Sequence, residues 1–258
     1  MILAFDVGNS ETTIGVCKGI TVQARWRVTT DGGRTPDEVF LLLRALLNAS
    51  GVRVAALTGA AIGSVVPAVT APLAEAARRL VGRDAIVIDG RSKLPIALDV
   101  EEPMSVGADR IINTLAASRS YKRDCIVVDL GTATTYDCIT AEGVFLGGVI
   151  APGVLMSAES LFRKTSKLAA TEIVPPRHVI GRRTDECIRA GVVLGAAESI
   201  DGLVRRIKKA WPRRSVPWVV ATGGLAGTFE SLCQSFDTVE PDLTLRGTAM
   251  AYKLLGGR

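Results

Sequence analysis

The sequence predicts an α/β fold in which one unit occurs twice. Three observations carry that expectation. First, Ile2-Leu3-Ala4-Phe5-Asp6-Val7-Gly8-Asn9-Ser10 returns in altered form as Cys125-Ile126-Val127-Val128-Asp129-Leu130-Gly131-Thr132-Ala133-Thr134. In each copy an apolar run ends in Asp-x-Gly, followed by small hydroxyl or amide residues and a second β-prone run. Second, Asp6 and Asp129 are separated by close to half the chain. Third, β-prone runs alternate with amphipathic helical patterns after both copies, as in a duplicated α/β unit rather than a short-period repeat. Glycine permits the turn and a close backbone approach, and the hydroxyls and amides offer donors to an anion. The aspartate at each strand end can hold a cation or a water. Together the turns predict a cleft that grips a polyphosphate from both sides.

The elements follow in order. Residues 2–6 and 12–17 read as strands flanking the first turn, with a third at 20–28. Thr35-Pro36-Asp37-Glu38 marks a helix start, with proline and acidic residues in its first turn, and the apolar series from Val39 carries that helix toward Gly51. Residues 54–64 read as a buried strand, 67–80 as an Ala-rich helix and 85–88 as a strand. Gly107-Ala108-Asp109-Arg110 leads into a helix over 111–120. Strands are predicted at 125–129, at 134–140 and, after a Glu142-Gly143 hairpin turn, at 145–150. Pro152-Gly153 introduces a helix over 154–163, and a long amphipathic helix covers 184–209. A strand over 216–221 runs into Thr222-Gly223-Gly224, and a last helix spans roughly 246–255. The expected domains are 1–120 and 121–258, with the boundary near Tyr121 to Asp124.

Composition narrows the chemistry. The chain has 258 residues, 48% hydrophobic and 22% charged, with room for two modest cores. No apolar run reaches the ~18 residues of a membrane span. Asp6 interrupts the N-terminal apolar run too early for a signal peptide, so a cytoplasmic protein is expected. Cys17, Cys125, Cys138, Cys187 and Cys233 show no C-x-x-C pair and read as reduced thiols. His178 is the only histidine and has no cysteine nearby, which argues against zinc chemistry and Ser-His-Asp hydrolysis. The formal charge of +5 suits anionic substrates. Its one cluster (Arg205, Arg206, Lys208, Lys209, Arg213, Arg214) falls at a helix end, where cations are favoured, and no nucleic-acid-binding motif accompanies it.

The motifs point to phosphoryl transfer, which needs positioning and charge neutralisation more than covalent help. There is no G-x-x-x-x-G-K-[ST] and no G-x-G-x-x-G after the first strand. Paired Asp-Gly turns are another way to hold a nucleotide. Asp6 is placed to hold hydrated Mg²⁺, with Asn9, Ser10, Thr12 and Thr13 as donors to phosphate oxygens. The turn at Thr222-Gly223-Gly224 would let the backbone pass close to an adenosine. Gly107-Ala108-Asp109-Arg110 has two readings. Asp109 can accept a proton from a substrate hydroxyl while Arg110 binds a carboxylate bidentately. Equally, the pair can simply cap the helix.

Asp6-Val7-Gly8-Asn9-Ser10, Gly107-Ala108-Asp109-Arg110, Asp129-Leu130-Gly131-Thr132-Ala133-Thr134-Thr135, Gly147-Gly148-Val149-Ile150-Ala151-Pro152-Gly153 and Ala221-Thr222-Gly223-Gly224 stand in the order seen in type III pantothenate kinases. The chain resembles that family over nearly its whole length. The resemblance implies duplicated ribonuclease H-like domains of the actin-like ATPase type with a cleft between them, within the acetate kinase, sugar kinase, Hsp70 and actin superfamily. It implies ATP-dependent phosphorylation of the pantothenate hydroxyl, the first step toward coenzyme A. By the family pattern Asp109 is the general base, and Gly107, Ala108, Asp109 and Arg110 bind pantothenate. ATP falls to Asp6, Val7, Gly8, Asn9, Ser10, Glu11, Thr12, Thr13, Thr132 and Gly223, with Mg²⁺ near Asp6. Asp129 matches the ligand of a required monovalent cation, K⁺ or NH₄⁺. Thr184 matches a threonine that contacts substrate across a homodimer interface, although it also suits a helix N-cap ahead of Asp185 and Glu186. Members often carry a tyrosine shortly before Gly-x-Asp-Arg, lining the pantothenate pocket; Val100 takes that place here. Two rival readings are a kinase for another small hydroxy acid and a nucleotide-binding transcription accessory protein using the basic cluster.

Overall fold

The computed structural model describes residues 1–257. The chain groups into two units. The first contains Met1–Ser120 together with Glu142–Phe145 and the chain from Asp242 onward, and the second contains Tyr121–Ala141 and Leu146–Pro241. Where the sequence places all of 121–258 in the second domain, the chain thus returns to the first unit twice.

In the first unit β1 (Ile2–Val7), β2 (Glu11–Lys18), β3 (Thr21–Thr29), β4 (Gly59–Ser64) and β5 (Ile86–Ile88) form a sheet in the order β3-β2-β1-β4-β5. β2 runs antiparallel to β1, and β4 runs parallel to it. α1 (Pro36–Ala49) starts on a capping box: the Thr35 hydroxyl accepts from the Glu38 N–H at 3.3 Å, and the Glu38 carboxylate accepts from the Thr35 N–H at 2.8 Å. α2 (Pro67–Val81) ends on Gly82 at φ 73°, a left-handed cap. Leu43 and Leu47 of α1 and Leu73 and Ala77 of α2 pack on Leu3, Phe5 and Ile62 of the sheet. The other face is covered by α3 (Ala108–Tyr121) and α8 (Leu243–Leu254), through Ile111, Ile112, Leu115, Leu245 and Ala249. The expected strand over 54–64 is shorter than its apolar run. Val54–Ala56 form a 3-10 turn, and β4 starts at Gly59, where the Tyr252 hydroxyl lies 1.9 Å from the place of a Cβ.

The second unit contains β7 (Cys125–Leu130), β8 (Ala133–Ile139), β9 (Val144–Pro152), β10 (Trp218–Thr222) and β11 (Thr238–Val239). Their order, β9-β8-β7-β10-β11, repeats that of the first sheet, again with an antiparallel hairpin and then parallel neighbours. A short β6 (Ala97–Leu98) pairs with Val144 and Phe145, the β9 residues that group with the first unit. Gly143, at φ 85°, makes the turn before β9. α4 (Val154–Lys164) follows Gly153 directly. The helix expected over 184–209 is three pieces: α5 (Thr184–Arg189), a π-helical stretch Ala190–Leu194 and α6 (Gly195–Ala210). Val193, Ile200 and Val204 pack there against Val128, Leu130 and Tyr136, with Phe229 of α7 (Ala226–Phe229) completing the core.

Candidate active site

The first turn lies between β1 and β2. The Gly8 N–H donates to Glu11 O at 3.0 Å, which leaves Asn9, Ser10 and Glu11 exposed at its tip. Asp6 stands one residue before the strand end, in register with Thr13 of β2 and Gly63 of β4. Val7 is a core residue at 1% exposure, so any part it takes in ligand binding passes through its backbone. Thr12 is also buried, and its hydroxyl pairs with that of Thr30 at 2.9 Å. Thr30 in turn donates to Gly8 O at 2.7 Å, while its N–H donates to Ser10 O at 3.0 Å. It therefore fastens the turn from below. No sequence motif singled out Thr30, because it lies after a different strand and acts only through the fold.

Gly107 accepts from the Ile111 N–H at 3.2 Å and opens α3, with Asp109 in the first turn. The Asp109 Oδ1 accepts from the Arg110 N–H at 2.9 Å. It also lies 2.5 Å from the place of a Cβ on Gly107, so glycine there makes room for the carboxylate. Negative charge is favoured at this positive helix end. The Arg110 guanidinium lies over the Phe145 ring, 4.9 Å from its centroid. Phe145 also accepts the Asp99 N–H at 2.9 Å through its carbonyl, which ties down the residue before Val100. Phe145 was not legible as a site residue, since an aromatic in a strand ordinarily reads as core.

The second turn lies between β7 and β8. The Gly131 N–H donates to Ala133 O at 3.1 Å, and Thr132 sits half-buried at the tip. Gly153 presses against it: a Cβ there would lie 2.0 Å from Thr132 O and 2.9 Å from Gly131 O. Gly223, at φ 91°, closes on the end of β7, where a Cβ would meet Asp129 Oδ1 at 2.4 Å and Leu130 N at 2.7 Å. The close approach that Gly223 permits is thus to the Asp129 carboxylate. Thr222, just before it, is 1% exposed, and its hydroxyl has no hydrogen-bond partner among the described residues. A carboxylate beside a buried hydroxyl fits a monovalent cation. Thr184 is exposed and is the first residue of α5; the cap position belongs to Arg183, so the N-cap reading of Thr184 does not hold.

A family model for type III pantothenate kinases matches residues 2–206. The chain belongs to the type III pantothenate kinases. It is 42% identical over 252 residues to the type III pantothenate kinase of Syntrophotalea carbinolica, covering 98% of each chain. A relative of the same description from Roseiflexus sp. is 41% identical over 254 residues, with 98% of this chain and 99% of that one covered. Among solved structures, a putative Baf family transcriptional activator from Campylobacter jejuni aligns with a TM-score of 0.59 at 17% identity, covering 98% of both chains. A ROK hexokinase from Thermus thermophilus aligns at 0.52 and 14% identity, with the same coverage. These likenesses carry the fold, that of the actin-like ATPases and sugar kinases, as the repeated strand order already indicates.

In this pantothenate kinase several other groups are structural. Burial pushes the Cys17, Cys125 and Cys233 thiols up to about 12, so they are inert at neutral pH. His178 is exposed. Asp124, which the sequence showed only as a boundary residue, is 5% exposed and accepts from Ala141 N–H (2.9 Å), Trp211 Nε1 (3.0 Å), Arg213 (3.1 Å) and the Ser215 hydroxyl. Burial alone would raise its carboxyl, but those four partners hold it below the ordinary range. Arg213 of the basic cluster is thereby committed to a structural pair. No helix among the described residues is long and apolar enough to cross a membrane.

Proposed function

We infer that the chain transfers the γ-phosphoryl group of ATP to the primary hydroxyl of pantothenate, giving 4'-phosphopantothenate and ADP at the start of coenzyme A synthesis. The observation that carries this reading is Gly107-Ala108-Asp109-Arg110 at the start of α3, in a chain that matches the family over residues 2–206. Asp109 accepts the hydroxyl proton as the oxygen bonds to the γ-phosphorus and the bond to the leaving ADP oxygen breaks. Its Oδ1 is oriented by the Arg110 N–H, which leaves Oδ2 to receive that proton. Arg110, steadied on Phe145, binds the substrate carboxylate, and Gly107 and Ala108 line the same place. Val100 forms one wall, with less bulk than the tyrosine common in the family.

ATP binding falls to Asp6, Val7, Gly8, Asn9, Ser10, Glu11, Thr12, Thr13, Thr132 and Gly223. Thr12 acts by shaping the turn, since its hydroxyl faces Thr30. Mg²⁺ near Asp6 neutralises phosphate charge when bound; one carboxylate plus phosphates and waters is its common environment. Asp129 holds K⁺ or NH₄⁺. A homodimer is supported by exposed apolar residues of the second unit, Ile150, Leu155, Met156, Val179 and Ile180, the last two shortly before Thr184. A cytoplasmic location fits a small-molecule kinase.

A coupled ADP-release assay with Mg-ATP and pantothenate, in potassium or in sodium, tests the reading. Potassium-dependent turnover is expected, falling about 10²- to 10⁴-fold in Asp109→Asn while ATP binding is kept. Unchanged turnover in that variant would remove Asp109 as base. ADP release with a different hydroxy acid and none with pantothenate would move the assignment to another small-acid kinase.

A further inference from the structure

In the second unit three strands each contribute one residue to a common row. Thr222 of β10 is in register with Asp129 of β7, and Asp129 with Thr135 of β8. In-register partners project to the same face of a sheet. That face is opposite the one through which Val128, Leu130, Ala221 and Tyr136 build the apolar core. Thr222 is 1% exposed, and its Oγ1 has no hydrogen-bond partner among the described residues. Buried hydroxyls nearly always find a partner, and one left unpaired costs stability, so this oxygen calls for an explanation.

The first unit holds a built-in comparison. By strand order β4 corresponds to β10, and its residue in register with Asp6 is Gly63. The place of a side chain at Gly63 is filled by Ile112, whose Cδ1 lies 2.3 Å from where a Cβ would be. One copy of the unit puts hydrocarbon there; the other puts an oxygen. The Asp129 carboxylate leans the same way, since its Oδ1 lies 2.4 Å from the place of a Cβ on Gly223, the residue after Thr222, against 3.7 Å for Gly131.

We propose that Thr222 Oγ1 is a ligand to the monovalent cation held by Asp129, and that it sets how tightly this cation binds. The proposal rests on the reading of Asp129 as cation ligand. A hydroxyl lone pair without a donor can be satisfied by a cation instead. A single carboxylate with neutral oxygens also balances a singly charged ion.

The test uses the full chain without ATP or pantothenate, dialysed into choline chloride. Thallium(I) binding is followed by ²⁰⁵Tl NMR, and the thermal midpoint is followed as KCl replaces choline. The wild type is expected to bind Tl⁺ saturably and to be stabilised by K⁺ more than by Na⁺. Thr222→Val should raise the apparent dissociation constant at least 10-fold, while its midpoint in choline equals or exceeds that of the wild type, because the orphan hydroxyl is gone. Thr222→Ser should restore binding. If Thr222→Val binds Tl⁺ as the wild type does while Asp129→Asn does not, the role of Thr222 is refuted and that of Asp129 stands. A lower midpoint of Thr222→Val in choline with unchanged Tl⁺ affinity would likewise overturn the proposal, as a purely structural role. No saturable Tl⁺ binding by the wild type would refute the cation assignment of Asp129 itself.

Discussion

Replacing Gly153 by alanine isolates the effect of one backbone contact on the second turn. Gly153 has φ −69° and ψ 159°, a conformation that alanine adopts freely, so the substitution carries no backbone strain. What it carries is a collision. The new methyl would lie 2.0 Å from Thr132 O, 2.7 Å from Thr132 C and 2.9 Å from Gly131 O, all backbone atoms with no rotamer in which to escape. Relief needs a displacement of about 1 Å in the turn or in the start of α4, and a misplacement of that size costs on the order of 10²-fold in a positioned reaction. Gly202→Ala is the control. Inside α6 its methyl would have only an Arg205 side-chain nitrogen within reach, at 3.8 Å, and the change should stabilise by about 1 kcal/mol through helix propensity. Steady-state kinetics with varied ATP should show at least a 10-fold loss of kcat/KM for ATP in Gly153→Ala and none in Gly202→Ala. Wild-type kinetics in Gly153→Ala, with an unchanged thermal midpoint, would refute the claim that this contact sets the turn.

Two further predictions concern residues outside the motifs. Thr30→Val removes the bond to Gly8 O and leaves the buried Thr12 hydroxyl unpaired; a loss of about 1–3 kcal/mol and a several-fold rise in KM for ATP are expected, from urea unfolding and kinetics. Asp124→Ala orphans the Ala141 N–H and the Trp211 indole, at about 1–3 kcal/mol for each part-buried donor, while Arg213, 41% exposed, adds little; a midpoint fall of roughly 4–24 °C follows at about 2–4 °C per kcal/mol. Because the folded Asp124 carboxyl titrates below its ordinary value of 3.8, its contribution is present above about pH 4–5 and is lost as pH falls through the lowered value. The difference between wild type and Asp124→Ala should therefore shrink on acidification below pH 4, and a gap that stays constant to pH 3 would contradict that assignment.

The strand-turn-strand copies were legible because their signals are local: an apolar run, a glycine and a hydroxyl cluster within ten residues. The capping box at Thr35 and Glu38 was legible for the same reason. What escaped depends on contacts between distant segments. Thr30 acts on Gly8 from the end of β3, Phe145 supports Arg110 from β9, and Asp124 draws in Trp211, Arg213 and Ser215 from a loop some ninety residues on. The helix over 184–209 was expected as one because its residues are helical throughout; the π stretch at Ala190–Leu194 changes the hydrogen bonding within a run that stays helical, and no local composition signal marks it. The return of the C-terminal helix to the first unit also left no local mark, since an amphipathic pattern does not say which sheet it covers.

The two copies share a strand order, yet they hold their turns by different means, and this makes their roles separable. Thr30 fastens the first turn through hydrogen bonds from its hydroxyl to Gly8 O and from its N–H to Ser10 O. The second is packed backbone against backbone at Gly153 and closed by Gly223 over Asp129, which leaves it little freedom. On the proposed assignments, the first arrangement would serve a turn that meets a nucleotide arriving and leaving in each cycle, and the second a site for a small ion, where the spacing of oxygens decides which ion fits. The rows beside the two aspartates diverge in the same sense, with Ile112 filling the place next to Asp6 and the Thr222 hydroxyl standing next to Asp129. Duplication supplied two equivalent strand ends, and the residues packed around each fix what it can bind.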